Sequence, residues 1–419
     1  MRPRRAVAPA MLGLALASSA GAATFDLDDN THARISGGVQ VDGVIVDQAS
    51  VDELDPATGQ SLNDVRVIIR RARVRADLHS TALSFLTVGV VSEIDGNTVL
   101  GPQLRVQKAE VFAALPGESP TVRVGLGLMK VPFGAEVPGE ATSRLFPEET
   151  RLSRALFPGD HDAGLVIAVR HSVFDLTLAA MNGNPINDVS FPVLDPSQHR
   201  DVVGRGGLDA VLWPGVTVRA GVSALAGVGL HPGTSPTKDT LIWRDQNEDG
   251  IAQASELGNI PAAAATPSLP FARQAIGGDA RVVVDVPLTG PLTIDGAVTI
   301  AENLDRGLLV ADPIAVGRDL RELGWALGAT WQPWPYVVVG VRYDEYQPDL
   351  DATDARAGRL IATDATIATW SVAAALQIPD TARLTLAYDH EDNAFGRDAQ
   401  GQATTLAADV LLARLQFTF

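Results

Sequence analysis

The chain has 419 residues, with 33 Lys plus Arg against 50 Asp plus Glu, and its formal charge of −17 argues against nucleic acid or an anionic membrane surface as partner. It contains no Cys, which excludes disulfides, thiolate metal sites and cysteine nucleophiles. Its 39 Gly and 26 Pro are spread along the sequence, suiting many short strands and turns rather than long helices, and no shift in composition marks a linker between soluble domains.

At the amino terminus, Met1-Arg2-Pro3-Arg4-Arg5 is basic, 6–17 is apolar and Ala20-Gly21-Ala22 is a small-x-small site, the three parts of a secretory signal over 1–22. Cleavage after Ala22 would leave 419 − 22 = 397 residues, and losing Arg2, Arg4 and Arg5 would take the charge to −20. No later apolar run approaches a helical membrane span.

Strand patterns then follow at about 31–46, 63–78, 82–93, 103–115, 120–131, 163–171, 173–182, 201–213, 216–228, 273–286, 291–303, 320–332, 336–347, 366–378, 381–391 and 407–419, sixteen in all. Their connections alternate. Short ones at His79-Ser80, 115–119, Ser172, Pro214-Gly215, 287–290, 333–335 and Pro379-Asp380 are mostly Pro/Gly turns, and polar loops at 47–62, 132–162, 183–200, 229–272, 304–319, 348–365 and 392–406 are long. An even number of antiparallel strands, short turns on one rim and long loops on the other predict an all-β fold: a transmembrane antiparallel barrel spanning 23–419 in the outer membrane of a Gram-negative cell. The last strand supports this, because Leu411, Ala413, Leu415, Phe417 and Phe419 share one face and Arg414, Gln416 and Thr418 the other. Closure requires that strand to pair with the first.

The run Val67-Ile68-Ile69-Arg70-Arg71-Ala72-Arg73-Val74-Arg75, the stretch Gly125-Leu126-Gly127-Leu128-Met129-Lys130-Val131-Pro132-Phe133-Gly134, the polar connection through Ser143-Arg144 and Glu148-Glu149, and the terminal Phe419 resemble the phosphate-selective porin O and P family. The resemblance covers most of the chain after the signal and is strongest over 63–170. It implies a trimeric, sixteen-stranded channel for small hydrophilic solutes, whose third extracellular loop, here 132–162, folds into the lumen. It also implies contact with outer-membrane lipid and lipopolysaccharide, and delivery by the barrel-assembly machinery through the terminal Phe signal.

Strand parity points Arg71, Arg73 and Arg75 to one face, and a bulge at Arg70-Arg71 would turn Arg66 and Arg70 inward as well. A lipid-facing Arg at the midplane costs roughly 2 to 4 kcal/mol, so these side chains belong to the lumen. Parity adds Arg34, Arg123, Arg219 and Arg281. Such arginines either attract anions such as phosphate or pair with lumen acids such as Asp77, Asp209, Asp285 and Asp295, and both readings stand. Only three Lys occur, so a lysine-rich phosphate lining is missing. Glu136, Glu140, Glu148, Glu149, Asp160 and Asp162 make the inserted loop acidic, alongside Arg144, Arg151 and Arg154. A basic wall facing an acidic loop suits a general-diffusion pore.

Within 229–272, residues 245–256 match the twelve-residue calcium loop, with Asp245, Asn247, Asp249 and Glu256 as side-chain ligands, Ile251 through its carbonyl, Gln253 directly or through water, and Gly250 at the turn. A plugged, calcium-stiffened surface barrel or adhesin is therefore a second reading. No G-x-S-x-G, H-E-x-x-H, phosphate-loop or dinucleotide pattern occurs and the seven His are scattered, so no enzymatic activity is expected.

Overall fold

The computed structural model describes residues 22–48, 65–83, 85–99, 101–115, 121–184, 199–244, 250, 251, 253–356, 359–395 and 404–419. The signal expected over 1–22 lies, but for Ala22, outside them. Sixteen long strands form one antiparallel sheet: β1 Thr31–Gln48, β2 Val65–Leu83, β3 Leu86–Asn97, β4 Gln103–Ala114, β5 Val122–Lys130, β6 His161–His171, β7 Phe174–Met181, β8 Asp201–Trp213, β9 Val216–His231, β10 Leu269–Val286, β11 Gly290–Glu302, β12 Arg321–Trp334, β13 Val337–Gln347, β14 Ile367–Ile378, β15 Ala382–Asn393 and β16 Leu406–Thr418.

Each strand pairs with its sequence neighbours, and β16 also pairs with β1 from Gly38↔Thr418 to Gln48↔Ala408, which closes the barrel. Closure removes every long sheet edge, so backbone donors and acceptors are satisfied without water. A short N-terminal strand, Ala23–Asp28, pairs with the start of β1 below Phe419, whose N–H and C=O each bond Gly37 at 2.9 Å.

The burial pattern is inverted relative to a soluble protein. Leu384, Leu386, Tyr388, Leu411, Leu415 and Phe417 are exposed, while Asp42, Thr385, Arg414 and Gln416 on the opposite faces of the same wall are buried. An apolar outer skin around a polar interior is stable in a bilayer and not in water. Three aromatics continue that skin, with Tyr343 centred 5.1 Å from Trp325 and 4.7 Å from the exposed Trp370.

All sixteen expected strands are present, and the differences lie at their ends. The turn expected at His79-Ser80 falls later, because β2 continues to Leu83 while Thr31↔Ser80 and His32↔His79 extend its ladder with β1. Polar residues suit the watery rim as readily as a turn does. Register steps from Gln40↔Arg71 to Val41↔Ile69, so Arg70 is the extra residue of a bulge. A second bulge lies between Glu93↔Lys108 and Ile94↔Val106, in the strands whose alternation is poorest. Two small hairpins, Thr240–Trp243 with Leu257–Ile260 and Thr353–Arg356 with Arg359–Ala362, occupy stretches the sequence pattern leaves as loops.

Candidate functional site: the lumen and its infolded loop

The connection from β5 to β6 runs through the barrel. Its backbone and side chains touch the inward faces of β9, β12, β13, β15, β16 and β2, which only a segment crossing the interior can do. Gly134 donates to Ser223 Oγ at 3.0 Å, Arg414 donates to the Pro147 carbonyl at 2.8 Å, and Arg383 donates to the Arg144 carbonyl at 3.0 Å. Arg342 donates to the Glu148 carbonyl at 3.0 Å and lies 4.7 Å over the Phe146 ring. Small residues on the wall admit the loop: Leu152 lies against Gly324 and Leu145 against Gly340, where a Cβ would approach them at 2.7 and 2.8 Å.

One stretch of the loop is helical, α1 Arg151–Leu156, capped by the Thr150 hydroxyl accepting from Ser153 N at 3.3 Å. Leu152, Ala155, Leu156 and Phe157 from this stretch pack with Phe133, Val137, Ala179, Val203, Leu225, Ala275 and Ala301 into a buried apolar cluster. That cluster fills one side of the lumen. A second segment holds the carboxyl end of α1: Arg306 donates to the Leu156 carbonyl at 2.8 and 3.0 Å and to Asp201 at 3.0 Å, and the Arg306 and Gly307 N–H groups both bond the Ala155 carbonyl at 2.9 Å. Gly307 is required there, because a Cβ would overlap the Arg154 carbonyl oxygen.

The loop charges are all engaged except two. Glu136 accepts from Thr150 Oγ1 at 2.5 Å and Ser153 Oγ at 2.6 Å, and although burial raises its pKa, Arg342, Arg144 and these hydroxyls hold it below the usual carboxylate value. Glu148 meets Arg70 at 2.9 Å and Arg414 at 3.3 Å. Burial opposes ionisation of Glu148 too, yet Arg70, Arg414, Arg71 and Arg154 outweigh it and bring its pKa down to about 2. Arg144 pairs with Glu149 and lies 3.7 Å from Asp160, whose pKa is raised by burial and by Glu149. Arg151 pairs with Glu391, and its N–H bonds Asp344 at 2.9 Å. Arg154 and Glu140 make no side-chain hydrogen bond or ion pair among the described residues.

The basic wall is equally well defined. Arg71, Arg73, Arg75 and Arg123 lie on the inward face of β2 to β5, and Arg34 joins that face opposite Asp77. Arg73 is 3.3 Å from both Glu93 and Asp95, Arg75 donates to Asp77 at 2.9 Å, and Arg123 pairs with Glu110 at 2.5 Å over the Phe112 ring. Arg71 bonds the neutral Gln40 at 3.0 Å. Arg70 reaches inward, and Arg66 falls opposite the buried Val44.

Between the loop and the inner faces of β10 to β13 is a cavity of about 450 Å³, bordered by Glu136, Glu140, Arg281, Asp295, Arg342 and Arg383. Parity places Arg281 in the lumen from sequence, whereas the anchoring role of Arg306, Arg342, Arg383 and Arg414 emerges only from the fold. Arg342, Arg383 and Arg414 carry the same inward-parity signal, and Arg306 carries none, being in a loop.

Of the residues expected to bind calcium, Asp245, Asn247 and Asp249 lie outside the described residues. Ile251 is exposed, Gln253 begins a short 3-10 turn, and Glu256 is buried and accepts from Trp243 Nε1 at 2.9 Å.

A closed sixteen-stranded barrel with an apolar outer face and an infolded loop is an outer-membrane β-barrel. No protein-family model matches the sequence, and no curated protein matches it. Among solved structures it is similar to the outer membrane channel DcaP of Acinetobacter baumannii, with TM-score 0.57 and 12% identity over 94% of this chain and 99% of that one. It is also similar to the anion-selective porin from Comamonas acidovorans, with TM-score 0.56 and 12% identity over 93% and 100%. A trimer form of OmpT from Vibrio cholerae gives TM-score 0.53 and 10% identity over 93% and 100%. Identities this low establish the shared fold.

Proposed function

We propose that the protein is an outer-membrane porin through which small hydrophilic solutes diffuse passively, with a preference for anions, oxyanions such as phosphate among them. The observation that carries this reading is the charged cavity of about 450 Å³ left where the infolded loop crosses a closed barrel. Anion preference is supported by Arg71, Arg281 and Arg383, lumen guanidiniums that have no carboxylate ion pair among the described residues. Planar guanidinium groups donate to oxyanions in pairs.

General diffusion with little selectivity is the second reading, favoured by the pairing of Arg73, Arg75 and Arg123 with wall acids. Planar-bilayer recording separates them. An anion-preferring pore gives steady conductance steps and a reversal potential on the anion side in a salt gradient, moved toward cations by replacing Arg71, Arg73 and Arg75 together with Gln. A reversal potential unmoved by that triple substitution refutes the basic wall as the selective element. A silent barrel would instead favour a plugged surface protein.

The trimer belongs to the same proposal, supported by the trimer form of the Vibrio cholerae neighbour. So do contacts with lipopolysaccharide and recognition of the terminal Phe419 by the assembly machinery. Calcium in 245–256 would order the long loop, and its measure is calorimetry at millimolar calcium. Binding lost in Asp249→Ala supports the site, and no heat with the wild type dismisses it.

A further inference from the structure

The lumen cavity contains two opposite charges that the protein leaves unjoined. Arg281 on β10 and Asp295 on β11 are directly paired residues of one ladder. Neither side chain makes a hydrogen bond or an ion pair among the described residues, although Asp279, two residues before Arg281, is bonded by Arg205 at 2.8 Å. The separation has a visible cause. The Asp295 carboxylate leans toward β12, over Gly328, where a Cβ would lie 3.4 and 3.7 Å from its two oxygens. Gly328, having no side chain, leaves room for the acid on that side, so that Arg281 and Asp295 border the cavity without a hydrogen bond or ion pair between them. Arg281 is exposed to the lumen and Asp295 is half-buried.

Ligand chemistry follows from that arrangement. A guanidinium takes a carboxylate, and a carboxylate takes an ammonium, and charge-assisted bonds are about twice as strong as neutral ones. One solute satisfies both when its two charges are carried close together. An α-amino acid does so, with ammonium and carboxylate on one carbon. Opposite the two charges the loop presents Phe133, Leu145 and Phe146 as an apolar border for a side chain, and about 450 Å³ is within the range of small-molecule sites.

We infer that the space between the infolded loop and β10 to β12 is a subsite for a zwitterionic α-amino acid, its carboxylate on Arg281 and its ammonium on Asp295. The inference deepens the porin reading, since it names a solute the lumen retains in passing.

Leucine and its two singly charged analogues test it. Isocaproate keeps the carboxylate and chain without the ammonium, and isoamylamine keeps the ammonium without the carboxylate. Calorimetric titration of the intact barrel in detergent should give leucine binding at least about tenfold tighter than either analogue. Asp295→Asn should bring leucine down to the level of isocaproate, and Arg281→Gln to that of isoamylamine. Heat-modifiable electrophoretic mobility checks that both variants remain folded. Isocaproate binding as tightly as leucine would overturn the inference in favour of a plain anion site. Leucine binding unchanged in Asp295→Asn, or no binding to the wild type, would overturn it as well. Calorimetry reads the site whether or not the barrel conducts, so a silent channel in bilayers would count against the porin reading alone.

Discussion

Replacing Glu148 by Gln should loosen the infolded loop without opening the barrel. Its carboxylate meets Arg70 at 2.9 Å and Arg414 at 3.3 Å, and Arg414 is itself fixed by two 2.7 Å bonds to Asp42. The fall in pKa from 4.5 to about 2, at 1.36 kcal/mol for each step of one, gives about 3 kcal/mol favouring the docked loop. That figure is an upper bound for the substitution, because Gln keeps one acceptor oxygen. The pair is mostly buried, with Glu148 25% and Arg414 5% exposed at the side chain, so solvent screening removes little of it. At that bound the open fraction is about a hundredfold larger. Limited trypsin digestion at Arg144, Arg151 and Arg154 reads that fraction, and single-channel recording reads the wider lumen. The docked carboxylate titrates below its free value. Its stabilisation is therefore complete above pH 4.5 and is lost as pH falls through about 2. Wild-type conductance should stay flat from pH 7 to about 5 and rise in stronger acid, with a weaker rise in Glu148→Gln. Nicking and conductance at pH 7 indistinguishable between the two proteins would refute the argument.

Two further outcomes follow from packing and closure. Leu156→Ala removes a fully buried side chain from the apolar cluster that seats α1, at a cost of about 2 to 5 kcal/mol, and should speed trypsin nicking of the loop while the heat-resistant barrel mobility persists. Deleting Phe419 removes two backbone bonds to Gly37 at the closing seam, and should lower the yield of membrane-inserted barrel more than removal of residues 234–266 from the long β9–β10 loop does. Equal yields would count against the seam as the sensitive point.

The strands were legible because each has one face in lipid and one in water, an alternation as regular as the pleat itself. Even the bulge at Arg70 could be anticipated, since arginines at 70, 71, 73 and 75 cannot all face inward on an unbroken strand. The inward placement of Arg71, Arg73, Arg75 and Arg123 follows from the same parity. Asp77 beside Arg75 follows too, but Glu93 and Glu110 do not, being fixed by the register of β3 and β4, which a second bulge resets. The anchors of the loop were illegible for a related reason. Arg306 and Leu156 are separated by 150 positions and Gln416 and Thr142 by 274, and nothing local in either segment names the other. Only the closed cylinder brings them together.

Those separations also set an order of events during biogenesis. The segment that crosses the lumen is synthesised early, whereas Arg306, Arg342, Arg383 and Arg414, which hold it in place, all come from the later part of the chain. A hydrogen bond spanning half the polypeptide cannot form until the intervening loop closes, and that entropy is met last. Docking of the loop therefore waits on the later strands. Truncation of β16 would therefore deprive the loop of Arg414 as well as the seam of its strand, so one lesion loosens both the wall and what it encloses.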